Sequence, residues 1–388
     1  MNAFNIVIKI RMKPNFQIPF NRCTFNDNAL KNIQMALSAG YISGNGNFTA
    51  QCHSYLNQYY STKTLFTHSG TAALEMAALL CNIQPGDEVI VPSFTFVSTA
   101  NALLLRGAKI IFADTEEKYP NLDIESLEEL ITEKTKVIVP VHYAGVACNM
   151  NALMTLVNKN NINIIEDAAQ AIGSHYNGKL LGTFGRFGAI SFHETKNITA
   201  GEGGLLIINN KTDFKRAEII WEKGTNRADL HRGVINKYEW IEVGSSFLPS
   251  DINAAILYSQ LNQFDFIQNK RIAIWNKYFA ELQPLQEKGV LRLPQVPKYG
   301  ELNGHMFFIE CESKKMRDGL ISFLGKKGIL AVFHYLPLHL SPYFKNKHDG
   351  RILNNSVKFS ERIVRLPLFL GLKEKEQDYI IEMVKAYF

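Results

Sequence analysis

The feature that most restricts the fold of this chain is an alternation. Short apolar runs, rich in β-branched residues, occupy positions 64–67, 88–91, 109–113, 136–141, 162–165, 187–190 and 205–208. Segments with helical spacing of apolar residues lie among them at 72–80, 126–131 and 150–159. A short apolar run without polar alternation reads as a strand covered on both faces. Strands separated by helices pair in parallel through right-handed crossovers. The chain is therefore expected to be α/β, with a large domain on a mainly parallel sheet, and its ligands are expected where the strands end.

At 388 residues there is room for a second, smaller domain. Beyond position 208 a helix is expected over 213–222. With Ser250 as cap, a long amphipathic helix over 251–282 then connects the domains. Pro284 and the proline-containing stretch 293–297 mark the boundary. Strands near 306–310 and 331–334 and helices near 317–326 and 374–387 make the rest a small α+β domain. Upstream, 26–39 reads as a helix closed by Gly40, and 42–48, with Gly44 and Gly46, as a loop. The expected division is an N-terminal extension over 1–17, a large domain over 18–283 that includes the connecting helix, and a small C-terminal domain over 284–388.

An apolar share of 46% with 20% charged residues is that of a globular chain, and no apolar run approaches the roughly 18 residues a bilayer requires. The net charge of +6 is dispersed, which suits small phosphorylated ligands rather than nucleic acid. The cysteines, Cys23, Cys52, Cys81, Cys148 and Cys311, are far apart and show neither zinc nor redox spacing, so they read as reduced thiols of a cytoplasmic protein. Residues 1–13 lack the apolar core and cleavage site of a signal peptide.

Lys196 lies between the runs 187–190 and 205–208, with Gly201, Gly203 and Gly204 behind it. An amine on such a turn can reach a pocket, where a lysine that attaches an aldehyde cofactor must stand; a solvated surface lysine is the plainer alternative. Asp167 follows the run 162–165. A carboxylate at the end of a buried parallel strand can keep a pyridinium nitrogen protonated, as pyridoxal phosphate needs to act as an electron sink, or it can cap a following helix. Gln170, one helical turn further, can reach the ring hydroxyl. Ser69, Gly70 and Thr71 open the helix at 72–80, offering N–H groups to a phosphate or serving only as a cap. His142 and Tyr143 leave the run 136–141 at the same edge.

The segments Glu166-Asp167-Ala168-Ala169-Gln170 and Ser191-Phe192-His193-Glu194-Thr195-Lys196-Asn197, followed by Gly201-Glu202-Gly203-Gly204, resemble the sugar aminotransferase family of fold-type I pyridoxal-phosphate enzymes. The similarity runs from about Ile18 to the C-terminus. It implies Lys196 as the catalytic lysine, Asp167 as partner of the ring nitrogen, and Gly70, Thr71 and Ser191 as phosphate ligands. It also implies Phe96 as the aromatic cover of the ring, for which a core phenylalanine is the alternative. The family's loop at 244–248 reaches across a homodimer to the neighbouring cofactor, with Ser246 standing where many relatives carry asparagine and Leu248 where they carry arginine. Arg227, His334 and His339 are implied as substrate contacts, L-glutamate as donor and a nucleotide-linked keto sugar as acceptor.

The segments 192–196, 141–148 and 333–339 most resemble members that convert dTDP-4-keto-6-deoxyglucose to dTDP-4-amino-4,6-dideoxygalactose; a gluco-configured or 3-amino product stays open. Related dehydratases carry histidine in place of Lys196. A ligand-sensing regulator on this fold would need an N-terminal DNA-binding unit, for which some 17 residues are too few. Because the resemblance begins near Ile18, translation is expected to start at Met12.

Overall fold

The computed structural model describes residues 17–388; the expected start at Met12 lies outside them. The apolar runs become the strands β1 Lys63–Thr67, β2 Glu88–Pro92, β3 Lys109–Ala113, β4 Thr135–Ile138 and β5 Asn163–Asp167. After the two-residue strands β6 His175–Tyr176 and β7 Lys179–Leu180 come β8 Phe187–Ser191 and β9 Gly204–Ile208. Seven of these form one sheet in the order β1-β9-β8-β5-β4-β2-β3. Only β9 runs against its neighbours, so β1, β2, β3, β4, β5 and β8 all end on the same edge. Apolar side chains on both faces explain the absence of alternation in the sequence.

Helices α1 Asp27–Ser38, α2 Asn47–Tyr60, α3 Gly70–Leu80, α4 Val97–Leu104, α5 Met150–Asn160, α6 Phe214–Trp221 and α7 Arg227–His231 precede α8 Asp251–Leu261 and α9 Phe264–Glu287. One face of the sheet carries α3, α4 and α6, the other α2, α5 and α8. A second, three-stranded sheet is antiparallel and ordered β10-β12-β13, from β10 Leu291–Arg292, β12 Phe307–Cys311 and β13 Ile363–Leu366; β11 Gly300–Glu301 pairs with β6 instead. A separate apolar cluster gathers this sheet, α9, α10 Lys314–Lys326 and α12 Glu374–Tyr387, and α11 Asn354–Arg362 leads into β13.

Several expectations fail for physical reasons. The long helix over 251–282 is two helices, broken at Asn262 and Gln263, and Pro284 does not end the second, which continues to Glu287. A boundary at 284 would thus cut through α9. The stretch 331–334 is not a strand; Val332 makes only an isolated bridge to Arg365. The helix expected at 126–131 is a 3-10 turn, Glu125–Leu130. The glycine loop ends early because α2 begins at Asn47, and the cap of α2 is remote in sequence: the buried Asp251 carboxylate accepts the N–H groups of Phe48 (3.1 Å) and Thr49 (2.8 Å). Gly46 permits this approach, since a Cβ there would lie 2.5 Å from the Asp251 Cγ.

Candidate active site

Strand ends bring the sequence candidates together. Lys196 lies in the link from β8 to β9, its N–H bonded to the His193 carbonyl at 2.9 Å. The next residue locks this link: Asn197 donates to Gln268 of α9 (2.9 Å) and to the Asn303 carbonyl (2.8 Å), and its Oδ1 pairs with the His305 ring at 2.8 Å. Desolvation pushes the Lys196 amine down to about 8, against the attraction of Asp167 and with the repulsion of Arg365.

Asp167 is the last residue of β5, and β5 pairs directly with β8. No helix follows it, so the capping alternative falls; Oδ1 instead accepts the Ala169 N–H at 3.2 Å in a turn. Oδ2 accepts the Thr99 hydroxyl at 2.7 Å, and Thr99 pairs with Thr95 at 2.8 Å. A buried carboxylate so held is a fixed negative charge near the amine. Gln170 sits in that same turn rather than one helical turn away. Its Oε1 accepts the Ala144 N–H at 2.6 Å and its Nε2 donates to the Tyr335 hydroxyl at 3.1 Å.

At the exit of β2, Phe96 precedes α4 and is 56% exposed, which excludes the core reading. Its ring centroid lies 6.1 Å from that of Tyr335. At the exit of β1, Ser69 caps α3 by accepting the Ala72 N–H at 3.1 Å, and its carbonyl takes that of Ala73. The amides of Gly70 and Thr71 have no acceptor among the described residues, at a helix end that attracts anions. Ser191 closes the cradle: a methyl on Gly70 would lie 2.9 Å from the Ser191 Cβ. Thr71 is aimed across to Ser98 of α4 at 2.7 Å.

His334 joins from the other side, 3.2 Å from the Tyr143 hydroxyl, and burial with the nearby cations Arg365 and Lys196 pushes its pKa well below the ordinary range. Two expected residues are placed elsewhere. His339 is buried with its Nδ1 on Ser93 at 2.6 Å, anchoring a 3-10 turn to the β2 exit. Arg227 is exposed on α7 with its guanidinium 5.9 Å over the Tyr238 ring. Ser246, expected to face the neighbouring subunit's site, is exposed, and the carbonyl of its neighbour Phe247 accepts the His68 N–H at 2.9 Å, so the loop flanks the turn into α3. His142 lies behind β5: its Nδ1 accepts the Cys148 N–H, so Nε2 carries the proton given to Glu166, 3.1 Å away.

Thr99, Asn303 and Arg365 had no sequence signal, and Tyr335 lay in the resembling segment 333–339 without a role of its own. Each reaches the site through packing between distant segments, as when Asn303 donates to the carbonyls of Gln170 and Ile172, both at 2.9 Å.

Lys196, Asp167, Gln170, Phe96 and the Gly70–Ser191 cradle fit pyridoxal phosphate: an amine of lowered basicity for the aldehyde, a carboxylate for the protonated ring nitrogen, an aromatic face and a helix end for the phosphate. A family model for the DegT/DnrJ/EryC1/StrS aminotransferases matches residues 24–385. The uncharacterized protein MJ1066 of Methanocaldococcus jannaschii is 30% identical over 384 residues, 97% of each chain. Spore coat polysaccharide biosynthesis protein SpsC of Bacillus subtilis is 29% identical over 383 residues, 96% of this chain and 97% of its own. The proposed sugar aminotransferase Spr1654 of Streptococcus pneumoniae superposes in its apo form with a TM-score of 0.89 at 29% identity, covering 95% of this chain and 97% of that one. It is also known in PMP and PLP forms, with TM-scores of 0.89 and 0.88. A family match over nearly the whole chain and a strand-end cluster suited to that cofactor place this chain in the DegT/DnrJ/EryC1/StrS aminotransferase family, as a pyridoxal-phosphate-dependent sugar aminotransferase of fold-type I.

Proposed function

We propose that this enzyme transfers the amino group of L-glutamate to dTDP-4-keto-6-deoxyglucose, giving dTDP-4-amino-4,6-dideoxygalactose in the cytoplasm for surface-polysaccharide synthesis. The observation that carries the reaction is the Lys196 amine, lowered to about 8, beside the Asp167 carboxylate at adjacent strand ends. The sugar rests on the segments 192–196, 141–148 and 333–339.

Pyridoxal phosphate, when bound, supplies the electron sink that lets a proton leave the carbon bearing the amine. Lys196 attaches the aldehyde at rest and, once displaced by the donor, carries that proton as a base. At pH 7 roughly a tenth of an amine of pKa 8 is neutral, about 300-fold more than for a lysine at 10.5. Asp167, oriented by Thr99, holds the ring nitrogen protonated. Gln170, itself fixed by Ala144 and Tyr335, meets the ring hydroxyl. Gly70, Thr71 and Ser191 bind the phosphate, and Phe96 covers the ring and keeps water away. His334, held neutral, offers the sugar a hydrogen bond without a charge.

The enzyme acts as a homodimer, with Ser246 in the loop that faces the neighbouring site. No helix among the described residues is long and apolar enough to cross a membrane.

Incubation of the cofactor-loaded enzyme with glutamate and dTDP-4-keto-6-deoxyglucose, with NMR of the product, tests the proposal. A galacto 4-amino sugar is expected. A gluco or 3-amino product would reassign how the sugar lies over the cofactor, and a failure to aminate this substrate would remove the proposed acceptor.

A further inference from the structure

Asn197, the residue after Lys196, belongs to a chain of hydrogen bonds whose donors and acceptors are fixed. The Ile172 carbonyl can only accept, so Gln268 turns its Nε2 to it at 2.9 Å and presents Oε1 to Asn197. Asn197 gives one Nδ2 hydrogen to that oxygen at 2.9 Å and the other to the Asn303 carbonyl at 2.8 Å. Its Oδ1 is left as an acceptor, 2.8 Å from Nδ1 of His305. That ring nitrogen therefore carries a proton.

His305 is itself firmly held. Buried at the entrance to β12, it gives its N–H to Asn303 Oδ1 at 3.0 Å, and its carbonyl accepts from Arg271 of α9 at 2.7 Å. The residue before it, Gly304, has a φ of +62°, and a Cβ there would lie 2.8 Å from the α9 backbone. The ring thus reaches from the second sheet to the link that carries Lys196. Burial, and then the charges of Lys196, Arg271 and Arg365 with His334 beside them, hold its pKa well below the ordinary histidine range. A neutral Nδ1–H gives Asn197 its bond without a further positive charge near the Lys196 amine, which a lysine or arginine here would add.

Lys196 has two tasks, to attach the aldehyde and, once displaced, to carry a proton, and its flexible stem supplies the swing between them. The backbone at its root must then stay in place, because a misplacement of about 1 Å in a reacting group can cost about 10²-fold in rate. We propose that His305 is a positioning residue for this lysine, acting through Asn197: its Nδ1–H holds the Asn197 amide, and with it the root of Lys196, fixed relative to Asp167. This rests on the assignment of Lys196 as the reacting amine.

The donor half-reaction tests the proposal without any acceptor, with glutamate added alone to the cofactor-loaded enzyme and followed by absorbance. An asparagine side chain puts its nitrogen where Nδ1 stands, and a glutamine puts its nitrogen nearer Nε2. His305→Gln is expected to slow the limiting rate about 10- to 100-fold with the apparent affinity for glutamate changed less than about threefold, while His305→Asn stays within about threefold of wild type. Asn197→Ala should match His305→Gln. Combining the two should be no slower than Asn197→Ala alone, as for residues that act in one chain.

A second readout needs neither cofactor nor turnover. Solid-state nitrogen NMR of cofactor-free protein labelled at histidine, with His305→Asn identifying the signal, is expected to show a neutral ring protonated at Nδ1 between about pH 6 and 8. A ring protonated at Nε2, or one that titrates in that range, overturns the proposal. So does a His305→Asn enzyme as slow as His305→Gln, an additive loss in the combined variant, or rates that fall only in proportion to the folded fraction read by circular dichroism. Activity lost in Lys196→Ala but untouched in His305→Gln overturns this inference alone, whereas a Lys196→Ala enzyme that still reacts with glutamate at ordinary rates removes the lysine assignment as well.

Discussion

The two sides of the active site are built by different means. On the sheet side, the groups proposed for the chemistry sit directly on strand and helix ends: Asp167 closes β5, Ser191 closes β8 and Gly70 opens α3. On the opposite side, Asn303, His334 and Tyr335 lie in irregular segments. They are positioned by bonds between residues far apart in the chain, such as Gln170 to Tyr335 and Asn197 to His305. Strand ends in a packed sheet are rigid, so they suit the groups that every amino transfer needs. Segments fixed by a few side-chain bonds tolerate change and suit the groups that choose a substrate.

Variants can break this division. Lys196→Ala should lose turnover on the order of 10⁴-fold or more, together with the absorbance band of the bound cofactor. A variant that still transfers amino groups at ordinary rates would remove Lys196 from the chemistry. Asp167→Asn keeps the shape and the Thr99 contact but not the charge, and should cost about 10²- to 10³-fold in kcat with the KM for sugar little changed.

The supporting residues sharpen it. Thr99→Val removes one hydrogen bond to a charged group and should lower kcat about tenfold. Tyr335→Phe removes a neutral bond to Gln170 and should cost only about two- to tenfold, seen in KM for the sugar more than in kcat. Steady-state kinetics for both decide the matter. If Tyr335→Phe were the more damaging in kcat, the sheet side would not hold the shared chemistry by itself.

What the sequence revealed follows the same line. Asp167, Gly70 and Lys196 could be read because each stands within a few residues of an apolar run whose end is visible in one dimension, whereas Ser191 came from the family resemblance alone. Thr99 was hidden because α4 shows only the short run 102–105, and nothing local marks a threonine two turns from a strand as the partner of an aspartate 68 residues away. The helix α2 was missed because Asp251 caps it from the far side of the chain. Pro284 misled because proline in the final turn of a helix removes one hydrogen bond without ending it. His339 misled in the opposite sense: histidine looks like a ligand in sequence, and here it is buried with its Nδ1 bonded to Ser93.

The smallest effect lies where the two sides meet, at the Lys196 amine. Its pKa of about 8 balances desolvation, helped by the repulsion of Arg365 on one side, against the attraction of Asp167 on the other. Only the neutral amine attacks an aldehyde, so the rate of pyridoxal phosphate uptake by the cofactor-free enzyme should rise with pH through a midpoint near 8 rather than 10.5. Asp167→Asn removes the attraction that favours the charged form, and the midpoint should fall. Arg365→Gln removes a repulsion, and it should rise. Stability carries the same sign: between about 8 and 10.5 the unfolded chain holds a proton that the folded amine has released, so the cofactor-free protein gains stability as pH climbs through that window and loses it as pH falls toward 8. A midpoint that stays fixed in both variants, measured by stopped-flow absorbance, would mean that the two sides do not act on a common amine.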